Sequence, residues 1–264
     1  MRQPLRLAAL VLLAGIAAAA NIDCAFPHIR DSSLGTALST ALGAPASEAA
    51  PAIDEPLKDC QRVLIVWNGP RAAPVVRFLG VPSEALMARY AASGTRVESR
   101  HGPAYQLPQQ AGFVAVALNE QELMIGTPAI LATIDPPPWP EPTGNVLDFS
   151  GPATDLKLGE LQDELSSFLF TWQPDGKLVL RATAVSRHDA KAVLRYVAVR
   201  KPLVQAAAGV GVEKAEFPAK LLESAAFSRE ENILIARMDL DQPTREQAVD
   251  YLAKAVRRQM KKYR

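Results

Sequence analysis

The stretch Phe113 to Ile134, FVAVALNEQELMIGTPAILATI, decides how this chain folds. Gly112–Leu118 has the β-branched and aromatic content of a buried strand, Asn119-Glu120-Gln121 makes a turn, and Glu122–Ile125 is a second strand. Three connecting residues cannot carry a parallel crossover, so the strands run antiparallel. Thr127-Pro128 then supplies a capping hydroxyl and a proline at the first helical position, which opens a short helix to Ile134. A tight hairpin followed by a helix is α+β chemistry, not the alternating strand and helix of a parallel sheet.

The same grammar extends in both directions. Upstream, Thr95–Ser99 and Ala104–Leu107 add two strands to the meander, with Gly102-Pro103 as a turn. Pro82-Ser83-Glu84 starts a helix over Ser83–Ala92, and Ala72–Leu79 is expected as another short helix. Arg62–Trp67 (RVLIVW) is a strand ended by Asn68-Gly69-Pro70. Downstream come a short strand at Asn145–Phe149 and a helix at Leu158–Leu165. A hairpin of Phe168–Trp172 and Lys177–Val185 follows, turning on Pro174-Asp175-Gly176. Ser186-Arg187-His188-Asp189 caps a long helix with Ala190, Val193, Leu194 and Val197 on one face, and Lys201-Pro202 is expected to kink or end it. Pro218–Ala226 is a helix, Asn232–Leu240 a strand, and Gln242-Pro243 opens a terminal helix to about Lys262. Strand, cap and helix recur at 113–134, 177–200 and 232–258. That recurrence predicts an α+β fold in two halves, each a mainly antiparallel sheet packed by helices, as a divergent duplication would leave them.

Between the halves lies Asp135 to Gly144, DPPPWPEPTG. Its prolines forbid helix and favour a stiff extended chain, so the expected division is a leader at 1–20, an N-terminal half at 21–135, a linker at 136–144 and a C-terminal half at 145–264. A ligand for a proline-recognition domain is the alternative for the linker. Trp139 is expected to pack on a neighbouring domain.

Arg2 and Arg6 precede an unbroken apolar run, Leu7 to Ala20, that ends in small residues before Asn21. A basic start, a short apolar core and small residues form the pattern of a cleaved secretory signal, with cleavage near Ala20/Asn21. The protein is therefore expected outside the cytoplasm, periplasmic or extracellular. In that compartment its two cysteines, Cys24 and Cys60, are expected to pair as a disulfide across the weakly apolar stretch 25–59, which the chain-entropy model values at roughly 4 kcal/mol. Lipidation of Cys24 is the competing reading, set against by Asn21-Ile22-Asp23, which separate it from the apolar run.

The strand near Arg62, the strand pair containing Tyr105, the run Phe113 to Ile125, and Gly126-Thr127-Pro128 opening a helix resemble a broad group of secreted bacterial α+β proteins of unknown function. In that group a phrase such as Leu123-Met124-Ile125-Gly126 ends a strand before a short helix. The resemblance implies a fold type and an envelope setting. It implies no catalytic residue.

Apolar residues make up 48% and charged residues 22%, which suits a packed globular fold, and a formal charge of +1 gives nucleic acid no electrostatic reason to bind. His28, His101 and His188 have no companion at metal-ligand spacing, and no cofactor is expected. No Gly-x-Ser-x-Gly elbow or phosphate loop is present, and Gly209-Val210-Gly211 follows a helix, the wrong setting for a dinucleotide site. Two acid groups remain: Asp239 with Asp241 near a strand end, and Glu160, Asp163 and Glu164 on one helical face. Lys254, Arg257, Arg258, Lys261, Lys262 and Arg264 form a basic cluster at the end of the chain that suits an anionic partner or membrane surface. With no catalytic residues assembled, the expected function is a non-catalytic binding or interaction protein of the cell envelope, its partner an envelope protein or small ligand. The alternatives are an envelope hydrolase with a carboxylate site in the cleft between halves, and a small-ligand carrier.

Overall fold

Asn21 begins the first strand of a computed structural model that describes residues 21–36, 59–67, 73–107, 112–153, 163–209 and 213–261. The chain divides into two units: Asn21–Thr143, which also takes the chain from Val256, and Gly144–Ala255. The leader at 1–20, most of the stretch between the cysteines and most of the expected helix at 158–165 lie outside the described residues.

In the first unit, β1 (Asn21–Ala25) leads into the short helix α1 (Phe26–Ile29). Strands β2 (Arg62–Val66) and β3 (Val75–Leu79), helix α2 (Ser83–Ser93), and strands β4 (Arg96–Ser99), β5 (Gly102–Gln106), β6 (Val114–Asn119) and β7 (Glu122–Gly126) follow, with α3 (Pro128–Leu131) after them. The strand order is β1-β2-β3-β7-β6-β5-β4, and every neighbouring pair is antiparallel. The meander β4 to β7 is the one the sequence predicts, and Thr127 caps α3 by accepting from the Ile130 amide at 3.4 Å. The expected helix over Ala72–Leu79 is corrected: Val75–Leu79 is β3, paired to β2 on one side and β7 on the other. Four of its five residues are buried. A strand inside a sheet needs apolar bulk on both faces, and Val-Val-Arg-Phe-Leu supplies it in a form that β-branched and aromatic residues favour.

Two faces result. Val63, Phe78, Leu123 and Ile125 point to one, which α1 covers beside β1 and β2 and α2 covers beside β5 and β6. The other face carries Val75, Ala104, Val114, Val116 and Met124, packed by Leu131, Ile130 and Ile134 from α3 and the residues after it. The end of α3 thus delivers the proline-rich segment onto this second face.

In the second unit, β8 (Leu147–Pro152), β9 (Leu165–Trp172), β10 (Lys177–Ala184), β11 (Ala225–Glu230) and β12 (Ile233–Asp239) lie in the order β8-β9-β10-β12-β11, again antiparallel throughout. The predicted hairpin at 174–176 is present, with Gly176 at φ +86° and the Asp175 carboxylate accepting from the Lys177 amide at 3.1 Å. Helices α4 (Arg187–Gly209) and α5 (Glu213–Ser224), and α6 (Gln242–Lys261) as far as Ala255, complete the unit. Ser186 caps α4 by accepting from the Asp189 amide at 3.2 Å. Ala190 and Val193 of α4 pack on Ala182 and Ala184 of β10, with Leu194 and Val197 at the margin, as the helical spacing requires. Pro202 does not end α4, which continues to Gly209. The missing N–H leaves the Ala198 carbonyl without its helical partner, and both residues are exposed, so water can take its place. Among the described residues, no helix is long and apolar enough to cross a membrane.

Candidate functional site

A cluster of polar side chains gathers around Trp139. Asp23, Arg62, Arg77 and Glu122 all project from the second face of the first unit, because Asp23 pairs with Leu64, Leu64 with Arg77, Arg62 with Leu79, and Leu79 with Glu122. Four adjacent strands therefore present two acids and two bases within a few ångströms of one another. Arg62 grips Asp23 through both nitrogens of its fork, Nε at 2.7 Å from Oδ1 and Nη2 on Oδ2. Arg77 donates to Glu122 and to the Pro137 carbonyl. The side chains of Arg77 and Glu122 are only 8% and 10% exposed, so this pair is a buried one.

The Trp139 indole closes the cluster. Its ring centroid lies 4.8 Å from the Arg77 guanidinium and 5.4 Å from that of Arg62, within reach of a cation–π contact with each. Its Nε1–H donates to Glu122 Oε1 at 2.7 Å, and Asn119 Nδ2 donates to Oε2 at 3.0 Å. Glu122 thus accepts from three side chains. A carboxylate so engaged acts as a structural anchor, with three of its roughly four acceptor sites taken by the side chains around it. Arg77 Nε is buried without a partner, the one unmet demand in the cluster.

Two contacts pin the segment further upstream. His101 Nε2 lies 2.9 Å from the Ile134 carbonyl and so carries the proton, and Arg100 pairs with Asp135 at 3.0 Å. Residues 134–139 are thereby fixed at Ile134, Asp135, Pro137 and Trp139, while Pro138, Pro140, Glu141 and Pro142 stay exposed. Trp139, expected to pack on a neighbouring domain, packs on the sheet of its own unit. Sequence reasoning missed its partners. The available signal was Arg77 inside Val-Val-Arg-Phe-Leu, since a charge amid buried apolar neighbours requires a counter-charge.

The cysteines sit on the other side of the same strands' geometry. Cys24, in β1, is 1% exposed and its Sγ lies 3.6 Å from the Val63 carbonyl; Cys60, also 1% exposed, lies 3.7 Å from the Arg62 carbonyl. Both are thiols in this structure. Burial pushes the Cys24 thiol up, helped by the charges of Asp23 and Cys60, and pushes Cys60 up to about 12.

The candidate acids are spread out. Asp241 caps α6, accepting from the Thr244 amide at 2.9 Å, and hydrogen bonding from the Thr244 side chain, then from its amide, holds the carboxyl below the usual range. Asp239 is exposed at the end of β12, opposite Lys177. Asp163 and Glu164 lie in the turn before β9, and Glu160 falls outside the described residues. His28 and His188 are exposed. Lys254, Arg257, Arg258 and Lys261 lie on α6, and Lys262 and Arg264 lie outside the described residues. A cavity among Phe170, Trp172, Leu178, Arg245, Ala248 and Val249 measures about 10 Å³, room for one water molecule.

No family model matches this sequence, and no curated protein matches it. Among solved structures, crystal form I of TP0453 aligns with 94% of this chain and 97% of its own at 11% identity, with a TM-score of 0.48. Crystal form III gives 94%, 97%, 12% and 0.46, and crystal form IV gives 93%, 96%, 10% and 0.45. The likeness is a distant one, and it assigns no site or activity to this chain.

Proposed function

We propose that this is an exported protein of the cell envelope that works by binding a partner rather than by catalysis. The observation that carries the reading is the use made of its polar residues. Glu122 is engaged by Arg77, Trp139 and Asn119, Asp23 by Arg62, and Asp241 by its own helix. What Glu122, Arg77 and Arg62 hold in place is a proline-rich strip with Pro138, Pro140, Glu141 and Pro142 facing outward. A strip whose conformation is fixed in advance loses little entropy when a partner covers it. Export rests on the leader pattern at 1–20.

We also infer that the two halves are divergent copies belonging to a broad group of secreted α+β proteins. In support, β7 runs into Thr127-Pro128 and α3 as β12 runs into Asp241-Gln242-Pro243 and α6, and in both the cap accepts from the amide three residues on.

Native mass spectrometry of the protein taken gently from its own cells tests the functional reading. A chain beginning at Asn21 with a second protein bound is the expected result. A chain that retains residues 1–20 in the cytosolic fraction overturns export, and a stoichiometric small molecule that the protein chemically alters overturns the binding role.

A further inference from the structure

We propose that Cys24 and Cys60 form a structural disulfide that closes while β1 is still undocked from β2 and is sealed by that docking. Cys24 stands opposite Val63 in the β1–β2 ladder, and Cys60 leads into β2 from the same end. The two sulfurs contact successive carbonyls of one strand, those of Val63 and Arg62. Each residue is 1% exposed. The ladder also continues past both strands, with the Phe26 amide donating to the Gln61 carbonyl at 3.0 Å and the Gln61 amide to the Leu79 carbonyl at 2.8 Å. The backbone at Gln61, next to Cys60, is therefore paired on both sides, and that of Cys24 is paired along β2.

Thiol–disulfide exchange needs a thiolate and a clear line of attack. Folding removes both: burial disfavours the charged sulfur, and the ladder blocks an incoming disulfide. In the open chain, one cysteine thiolate attacks a sulfur of oxidised glutathione, forms a mixed disulfide and releases one glutathione thiolate. The second cysteine thiolate then attacks the cysteine sulfur of that mixed disulfide, forms Cys24–Cys60 and releases the second glutathione. The two protons lost by the cysteines pass to the two released glutathiones, and the two electrons reduce the original disulfide. Once β1 pairs with β2 the bond is shielded from reductants by the same burial. In the cell this inference rests on the export proposed above, since the pair persists only in an oxidising compartment; the refolding test below reads the pairing apart from it.

The test compares two routes with the purified full chain. Refolding from denaturant in a mixture of reduced and oxidised glutathione is expected to give a product two hydrogens lighter, with a midpoint of thermal unfolding on the order of 10 °C above that of the same product after reduction. Folding first under reductant and then adding oxidised glutathione is expected to oxidise the pair at least tenfold more slowly than in the urea-unfolded chain. Glutathione adducts on separate cysteines, or an unchanged mass after the first route, overturn the pairing. Oxidation of the folded dithiol at the unfolded rate overturns the sealing.

Discussion

The two units cover their sheets by different means. In Gly144–Ala255, helices do the covering through apolar contacts: Ala190 and Val193 of α4 on Ala182 and Ala184, and Ala248 and Val249 of α6 beside Phe170 and Leu178. In Asn21–Thr143, α1 and α2 cover one face, but the other receives, beyond the single turn of α3, an extended segment held at Ile134, Asp135, Pro137 and Trp139 by polar contacts. A helix satisfies its own backbone and needs only an apolar stripe. A proline-rich segment has few amide donors and no internal hydrogen bonds, so side chains of the sheet must reach out to fix it. Buried charge in the first unit is the consequence of what it has to hold.

That contrast can be broken at its strongest point. Glu122→Ala strands Arg77 as an unpaired buried charge and is expected to destabilise by about 3–5 kcal/mol, measured by urea denaturation. Replacing both partners, Arg77→Met with Glu122→Leu, is expected to restore most of that loss while leaving Trp139 without its acceptor. If the double variant is as unstable as the single, the pair supplies stability rather than position. Trp139→Ala removes one hydrogen bond and two cation–π contacts and is expected to cost about 2 kcal/mol. Limited proteolysis should then cut within 135–144 several-fold faster, and unchanged cutting would mean the segment is held by other residues.

The second unit is expected to respond to backbone strain instead. Gly176 sits at φ +86°, and a Cβ there would lie 1.9 Å from Arg245 Nη1. Gly176→Ala is expected to cost about 1–3 kcal/mol by thermal unfolding, since it demands both a left-handed conformation and displacement of Arg245. The smallest effect is at the α6 cap. Asp241 has its carboxyl pKa lowered in the folded state, chiefly by the hydrogen bond from Thr244, so its contribution is present above the ordinary value of 3.8 and fades as pH falls through the lower folded value. Asp241→Ala should therefore lower the unfolding midpoint slightly at neutral pH, with the gap closing in acid. A gap that persists in acid would show that the charge plays no part.

Local chemistry was legible in the sequence and long-range pairing was not. The Asp175-Gly176 hairpin, the Ser186 and Thr127 caps, the meander from Arg96 to Gly126 and the apolar face of α4 each rest on residues within a few positions of one another, and the structure has them. The short strand β1 has no turn signal to announce it, and β3 reads as a helix until β2 and β7 are known to flank it. Arg77 and Pro137 are 60 positions apart, Arg77 and Glu122 45, and no periodicity links them. The proline segment illustrates both halves of this lesson. Its composition shows that it is extended, while the surface it lies on is decided by a tryptophan whose acceptor belongs to another strand.

The outermost strand of each unit's order bears on how the molecule behaves in a crowd. β4 ends the first unit's order and β11 the second's. Both are short; β4 displays the exposed pair Arg96–Glu98, and β11 finishes in exposed Arg229 and Glu230. A foreign strand aligned on either margin would have to strip water from those charges before gaining its first ladder bond. The antiparallel sheet is thus closed to templated growth at these margins, and high concentration should produce neither fibres nor strand-exchanged oligomers through them.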